Sequence, residues 1–164
     1  MLRAFSQKGR LRAEEHGHRL TIDFDANRHA TVLGDYASLQ RLLWILLDNA
    51  VKYTPAPGSI RLRLEMDGNQ AVVAVEDNGI GISAADLPNI FDRFYRADKS
   101  RSQVEGAGLG LSIALWIAHV HGASISAESR EEQGSAFRIA FVLLTGETVP
   151  TDVPGVNGDL ARTG

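Results

Sequence analysis

The sequence predicts an α/β two-layer sandwich in which a mixed, mainly antiparallel sheet is covered on one face by about three helices. Three observations lead to this prediction. Several short segments alternate apolar and polar residues, as half-buried strands do, and two of them are joined by a tight turn at residues 67–69. Other segments carry apolar residues at three- and four-residue steps, as helices do. The hairpins are too frequent for a doubly wound parallel sheet, whose strands are separated by helices.

The elements follow one another in the order helix, strand, helix, two strands, short helix, long loop, helix, two strands. Asp35 is a good N-cap for the second helix, and Pro55 ends it. The last helix is apolar almost all round and is therefore expected to be buried. The predicted helices cover residues 10–16, 36–54, 84–90 and 111–121, and the predicted strands cover residues 19–24, 59–66, 71–76, 123–128 and 135–144, with a further brief strand at 31–33.

The composition excludes several classes of protein. The 164 residues are 44% hydrophobic, which is enough for one domain with its own core. The formal net charge is −3 and the basic residues are scattered, so no nucleic-acid partner is expected. The absence of cysteine excludes disulfides and thiolate metal sites. No apolar run reaches the ~20 residues of a membrane span or forms a signal-peptide core, so we expect a cytoplasmic segment without direct membrane contact.

The second predicted helix carries a polar residue on its apolar side. Asn49 lies seven residues after Leu42 and three after Leu46, within the apolar stripe. A buried amide without a partner costs about 1–3 kcal/mol, so Asn49 is expected to hold something polar. Lys52 and Tyr53 follow one turn later on the same side. An amide, an ammonium and a phenol that face one point suit a metal-bound phosphate; the alternative is a capped helix end with a solvated lysine.

An acidic residue, Asp77, directly follows the strand predicted at residues 71–76 and stands before two glycines. Asp77 precedes Gly79 and Gly81, which let the backbone approach a flat ligand closely. The carboxylate can accept a hydrogen bond from an exocyclic amine, while Ile80 and Ile82 offer apolar walls for a ring. Adenine has both features, and guanine has them with a different edge. The alternative is a turn that uses Asp and Gly for backbone geometry alone.

Three glycines at alternate positions precede the last predicted helix: Gly106, Gly108 and Gly110. Exposed backbone N–H groups beside the positive end of a helix form a cradle for phosphate. The pattern is not a Walker A loop, because Leu111 and Ser112 stand where that loop has its Lys and Ser or Thr. It is not a dinucleotide fingerprint either, because no strand and turn precede it. A flexible hinge is the alternative.

Taken together and in this order, the motifs resemble those of the catalytic and ATP-binding domain of bacterial sensor histidine kinases. That domain belongs to an ATPase superfamily shared with gyrase, the heat-shock chaperone and the mismatch-repair ATPase. The resemblance covers about residues 11–144 and rests on residues 48–55 (N box), 77–82 (first glycine box), 90–96 (phenylalanine box) and 106–111 (second glycine box). It implies a Bergerat-type ATPase fold, with residues 91–105 as a long lid over the nucleotide.

The resemblance also implies ATP and Mg²⁺ as the cofactors and assigns roles to individual residues. Asn49 would hold Mg²⁺ and would serve catalysis together with Lys52 and Arg96. Asp77 would accept a hydrogen bond from the adenine amino group, which favours ATP over GTP. The full set of expected nucleotide contacts is Asn49, Lys52, Tyr53, Asp77, Gly79, Ile80, Gly81, Ile82, Arg93, Arg96, Gly106, Gly108, Leu109, Gly110 and Leu111.

The implied activity is transfer of the γ-phosphate of ATP to a histidine on a separate dimerisation domain, upstream or in trans, in a two-component system with a response regulator as indirect partner. Residues 1–10 would be a linker from that domain, residues 11–145 the catalytic domain and residues 146–164 a flexible tail. The acceptor of such kinases is a His followed by Asp or Glu on a helical hairpin. None of the histidines of this sequence is in such a setting, so we expect none of them to be the acceptor: His16, His18, His29, His119 and His121.

Two positions depart from the family pattern. Ile45 stands four residues before Asn49, where family members usually carry another Asn, and Ala136 stands where a second hydroxyl is common. The first departure motivates an alternative function, a nucleotide-gated binding module with lost or weak transferase activity. A serine kinase of the anti-sigma type on the same fold is a further alternative, although the lid sequence at residues 91–96 fits histidine kinases better.

Overall fold

The computed structural model describes residues 1–24, 30–96 and 108–144. Within these ranges the chain forms three α-helices, five strands and one short 3-10 helix. The helices are α1 (Leu2–Glu15), α2 (Tyr36–Tyr53) and α3 (Gly110–Val120), the 3-10 helix is Leu87–Asn89, and the strands are β1 (His18–Asp23), β2 (Gly58–Asp67), β3 (Gln70–Asp77), β4 (Ser124–Arg130) and β5 (Gly134–Val142).

The five strands form one sheet in the order β1-β2-β3-β5-β4. β1 pairs parallel with β2, because α2 crosses between them, and the other neighbouring strands are antiparallel. The predicted mixed, mainly antiparallel sheet is therefore confirmed. The register of β3 with β5 places Asp77 opposite Ser135. Two residues that are 58 positions apart in the sequence thus meet at one end of the sheet.

The core lies between α2 and the face of the sheet that the helices cover. Leu42 and Leu46 of α2 are fully buried, and Asp35 caps the helix by accepting a hydrogen bond from the Ser38 N–H at 2.7 Å. The alternation of β2 turns Ile60 and Leu62 into this core. Its intervening arginines lie on the other face, where they form ion pairs with Glu76 of β3. The predicted two-layer sandwich is confirmed.

Helix α1 is longer than predicted. It begins at Leu2 rather than at residue 10, and its first half belongs to the core. Phe5 is 1% exposed and packs edge-on against Trp44 of α2, with 4.8 Å between the ring centroids. Gly9 allows this close packing, because a Cβ there would lie 3.1 Å from the Leu47 side chain. The side of α1 that contacts the core is thus narrow and includes a glycine. The apolar periodicity of the sequence therefore did not reveal the first half of this helix.

Two short predicted elements are wrong. Residues 84–90 do not form an α-helix, because Pro88 has no N–H to donate to the carbonyl four residues earlier, and only a 3-10 turn follows the Ser83–Asp86 cap. The brief strand predicted at residues 31–33 is also absent. Instead, the carbonyl of Thr31 accepts a single hydrogen bond from the N–H of Leu144, beyond the end of β5.

Helix α3 is only partly buried, in contrast to the prediction. Ala114, Ile117 and Ala118 are buried, but Trp116 is 60% exposed and Val120 is 56% exposed. A helix in the outer layer of a two-layer sandwich has a covered side and an open side, whatever its composition. No helix in the described ranges has the length and apolarity needed to cross a membrane.

Replacing Phe5 by Ala should destabilise the domain by about 3–5 kcal/mol, because a fully buried ring is removed from the contact between α1 and α2. The control is Leu11→Ala on the same helix. Leu11 is 62% exposed, so that change should stay within about 0.5 kcal/mol. Denaturant unfolding of the whole chain measures both. Equally small effects would show that the residues before residue 11 behave as a linker.

Candidate functional site

One cavity of about 340 Å³ brings together residues from all four sequence motifs. It lies where the end of α2, the end of β3 and the start of α3 meet. The lining consists of Asn49, Lys52, Tyr53, Asp77, Ile80, Gly81, Ile82, Ile90, Tyr95, Arg96, Gly108, Leu109, Gly110, Leu111, Ser135 and Phe137. The lining combines apolar side chains, among them three isoleucines and Phe137, with polar and cationic ones.

Asp77 is the acidic group of the cavity. It is the last residue of β3, and one of its carboxylate oxygens accepts a hydrogen bond from the Gly79 N–H at 2.9 Å. Burial raises the pKa of Asp77 above its usual range, while the backbone N–H groups of Gly79 and Ser135 oppose this shift. A partly buried carboxylate of this kind is a strong acceptor for a ligand that brings its own donor.

The two glycines after Asp77 are required by the protein's own backbone. A Cβ at Gly79 would lie 2.3 Å from the carbonyl oxygen of Tyr53, and a Cβ at Gly81 would lie 1.9 Å from that of Arg130. Gly81 also has a φ of +67°, a backbone conformation that residues with a Cβ rarely adopt. Gly79 does not line the cavity. These glycines therefore seat the loop against α2 and the β4–β5 hairpin, and this packing positions the apolar wall.

The last turns of α2 supply the polar side. Asn49 is partly buried, next to the fully covered Ala50, and it lines the cavity together with Lys52 and Tyr53. The ammonium of Lys52 lies 5.1 Å from the centroid of the Tyr53 ring. The sequence predicted that these three side chains face one point, and the structure brings all three to the same cavity.

The N-terminus of α3 forms the next part of the wall. Gly110 is the first residue of the helix, Leu109 is its N-cap, and no side chain of the described residues caps the first N–H groups. Gly108 has a φ of +68°, and a Cβ there would lie 2.8 Å from the carbonyl oxygen of Tyr95. Uncapped N–H groups at the positive end of a helix favour a bound anion. Gly106 lies outside the described residues.

The two described flanks of the predicted lid are tied together. The N–H of Phe94 donates to the carbonyl of Gly108 at 3.0 Å, and the Tyr95 hydroxyl donates to Asp86 at 2.6 Å. This second hydrogen bond raises the pKa of Tyr95 and lowers that of Asp86. Arg96 lines the cavity, whereas Arg93 is exposed and does not. Residues 97–105 of the predicted lid lie outside the described residues.

Sequence reasoning missed four lining residues: Ile90, Tyr95, Ser135 and Phe137. The alternation of β5 puts Ser135 and Phe137 on one face, but only the pairing of β5 with β3 brings them beside Asp77. Ile45 is not among the lining residues and packs against the core instead. Its methyl group would lie 3.5 Å from a Cβ at Gly110, so it fills space beneath the start of α3.

Comparison with known proteins agrees with this geometry. Residues 34–145 match the model of the family described as histidine kinase-, DNA gyrase B- and HSP90-like ATPases. The chain belongs to this family. The match begins just before α2 and ends just after β5, so it contains every lining residue of the cavity. Membership in this family identifies the described domain as an ATP-binding one.

The relatives of this ATPase domain carry the names of sensor kinases. The chain is 42% identical over 118 residues to the signal transduction histidine-protein kinase AfsQ2 of Streptomyces coelicolor, and 38% identical over 123 residues to the sensor protein CiaH of Streptococcus pneumoniae. These alignments cover 72% and 74% of this chain, but 22% and 28% of the relatives. The chain thus spans about a quarter of the length of the relatives it matches.

Solved structures share the fold. The mycobacterial sensor histidine kinase MprB has a TM-score of 0.72 at 27% identity, covering 86% of this chain and 92% of that one. Full-length ShkA in complex with AMPPNP has a TM-score of 0.75 at 28% identity, covering 88% of this chain and 30% of that one. The resemblance to the catalytic and ATP-binding domain of sensor histidine kinases, with its Bergerat-type fold, is confirmed.

Replacing Asp77 by Asn should leave the ligand-free ATPase domain as stable as the wild type, or more stable, at pH 7. Burial raises the pKa of Asp77 in the folded chain, so ionisation of this carboxyl opposes folding. The resulting cost is absent below the unfolded pKa of about 4 and grows as the pH rises through the folded pKa.

Thermal unfolding of both proteins between pH 4 and pH 8 measures the difference. Asn retains an oxygen for the Gly79 N–H, so that hydrogen bond is preserved in the variant. A ligand-free wild type whose stability exceeds that of the variant, by a margin that increases with pH, would contradict this sign.

Proposed function

We propose that this domain is the kinase part of a two-component sensor, and that it transfers the γ-phosphate of Mg·ATP to a histidine on a separate dimerisation domain. The observation that carries the proposal is the lining of the cavity of about 340 Å³. It combines a partly buried carboxylate and apolar side chains with Asn49, Lys52, Arg96 and the start of α3. A nucleoside triphosphate needs both sets, the first for a flat amine-bearing ring and the second for a polyanion. We assign the first set to the base end of the site and the second set to its phosphate end.

The base end favours adenine. An ionised Asp77 accepts hydrogen bonds and cannot donate them, so it attracts an exocyclic amine and repels a carbonyl oxygen. Ile80 and Ile82 offer the apolar faces that a purine ring needs. In the orientation that brings the adenine amine to Asp77, guanine would present its carbonyl oxygen to the carboxylate instead. ATP is therefore the substrate that this end of the cavity suits best.

The phosphate end fits a metal-bound triphosphate. Among the described residues, no three His, Cys, Asp or Glu side chains group so as to hold a metal ion. The amide oxygen of Asn49 would thus be the protein ligand of Mg²⁺, which commonly takes its other ligands from phosphate and water. When bound, the ion would neutralise phosphate charge. Lys52, Arg96 and the N–H groups of residues 108–111 would orient the phosphates for in-line transfer, which depends mainly on positioning and charge.

The partners follow from the proposed reaction. The direct partner is a histidine-bearing dimerisation domain, upstream in a longer kinase or supplied in trans, and a response regulator is served indirectly. Residues 11–145 are the proposed catalytic domain. The linker expected at residues 1–10 lies, apart from Met1, within α1, whose Phe5 is buried in the core. The tail expected at residues 146–164 lies outside the described residues. α1 runs unbroken through residue 11, so a domain joined before it would connect to the core through a helix.

The position of Ile45 bears on the alternative, a nucleotide-gated binding module. That alternative rests on an alkyl side chain where the family usually has a second Asn. Ile45 does not line the cavity, and Asn49, Lys52 and Arg96 do. The groups proposed to act on phosphate are therefore all present in this cavity. This distribution favours the kinase over the binding module.

Calorimetric titration with Mg·ATP tests the base end of the proposed site. The wild type should bind ATP saturably, in the micromolar to millimolar range usual for substrates. Asp77→Asn should weaken ATP about 10- to 100-fold, because a hydrogen bond to a charged group is worth about 1.5–3 kcal/mol, and GTP should lose much less. Glu128→Gln, which neutralises a 76% exposed carboxylate on β4, is the matched control.

Two results would count against this assignment. A wild type without saturable ATP binding would refute the proposed function as a whole. Equal ATP affinity of the wild type and Asp77→Asn would mean that the base binds elsewhere.

Phosphotransfer tests the activity itself. The wild-type chain, Mg·ATP and the purified dimerisation domain of a related sensor kinase should give an acid-labile, base-stable phosphoprotein. Asn49→Ala should abolish transfer and remove the Mg²⁺ dependence of ATP binding. Ile45→Asn should change transfer by less than about threefold, because Ile45 lies outside the cavity. ATP binding without transfer in the wild type, with transfer gained in Ile45→Asn, would instead support the binding module.

A further inference from the structure

Ser129 of β4 lies where the loop of residues 80–82, which supplies apolar side chains to the cavity, packs on the β4–β5 hairpin. Its hydroxyl accepts a hydrogen bond from the Ile82 N–H at 2.8 Å and donates one to the Gly134 carbonyl at 2.7 Å. The same oxygen lies 3.0 Å from the hydroxyl oxygen of Ser135. Ser129 itself does not line the cavity, so it acts on the cavity only through these neighbours.

The hydrogen-bond capacity of a hydroxyl decides the direction of the Ser129–Ser135 contact. A hydroxyl has one hydrogen to donate and two lone pairs to accept with. The hydrogen of Ser129 goes to the Gly134 carbonyl, which can only accept, and the Ile82 N–H takes one lone pair. Ser135 must therefore be the donor in its contact with Ser129. With its only hydrogen so used, the Ser135 hydroxyl offers only lone pairs to the cavity that it lines.

Residues 80–82 are held to the hairpin at two further points. The N–H of Glu132 donates to the carbonyl of Ile80 at 2.7 Å, and the backbone of Gly81 packs against the carbonyl of Arg130 so closely that no Cβ fits. Ser129 adds a side-chain hydrogen bond to these backbone contacts. The apolar wall of the base end thus takes its position from the hairpin, and Ser129 ties it there.

We propose that Ser129 is a positioning residue of the base end and that, through Ser135, it helps to select a ring with an exocyclic amine. This inference rests on the proposed nucleotide function. β3 and β5 pair so that Asp77 and Ser135 lie opposite each other, and both present acceptors. Two acceptors suit the two N–H groups of an exocyclic amine. A ring carbonyl at the same place would face lone pairs from both sides.

Binding of three probes to the full chain tests the proposal: ATP, inosine triphosphate, which has a carbonyl in place of the amine, and inorganic triphosphate, which has no base. Ser129→Ala should weaken ATP about tenfold and change the other two by less than about threefold, so that the preference for ATP over inosine triphosphate falls. Ser129→Thr keeps the hydroxyl and should restore the preference. Ser126→Ala, at an exposed serine of the same strand, should behave as wild type.

Three outcomes would overturn the proposal. An unchanged preference in Ser129→Ala, with the wild type binding ATP, would overturn this inference alone. An equal loss for all three probes would do the same, because it would mark a structural role only. A wild type that binds no ATP would overturn the proposed function, and this inference with it.

A second variant keeps the test decisive if thermal unfolding shows that Ser129→Ala does not fold. Ser135→Ala removes the acceptor from the cavity and leaves the hydrogen bonds of Ser129 to Ile82 and Gly134 in place. A reduced preference for ATP in Ser135→Ala would support the proposal. A wild-type preference in that variant would overturn it.

Discussion

The packing of α2 against the sheet is the interaction on which the rest of the structure depends. Leu42 and Leu46 are fully buried, and burial of a leucine side chain contributes about 1.5–3 kcal/mol. The same helix carries Asn49 one turn beyond Leu46, so the burial that stabilises the domain also fixes where the amide lies. The end of α2 is also bonded to the loop after β3, because the Ile80 N–H donates to the Tyr53 carbonyl at 3.0 Å. This hydrogen bond joins the helix that carries Asn49 to the loop that supplies apolar side chains to the cavity.

Local patterns predicted the elements, because the signals that define them lie within single segments. The alternation of β2, the N-cap at Asp35 and the proline after α2 each act over a few residues, and these elements were confirmed. The errors arose where one residue outweighed its neighbours. Pro88 removes a helical hydrogen bond from an otherwise helical stretch, and Gly9 allows α1 to approach α2 closely although glycine disfavours helices.

The residues of the cavity that belong to sequence motifs could be predicted, whereas those that strand pairing brings to it could not. Asn49, Lys52 and Asp77 could be recognised as polar residues within or beside apolar patterns, and all three line the cavity. Ser135 lines it only because β5 pairs with β3 in one particular register. Ser129 acts through three hydrogen bonds to residues on two other segments. Such roles depend on contacts between distant segments, which no local spacing encodes.

The cavity is also where the structure departs from what folding alone would favour. Asp77 carries a pKa raised by burial, so its charge opposes folding at neutral pH. Within the described ranges, the first N–H groups of α3 have no side-chain cap, and Phe94 adopts a φ of +64°. A ligand with an amine at one end and negative charge at the other would satisfy the first two groups at once. Two of these three features, the buried charge of Asp77 and the start of α3, are thus ones that the proposed nucleotide would stabilise.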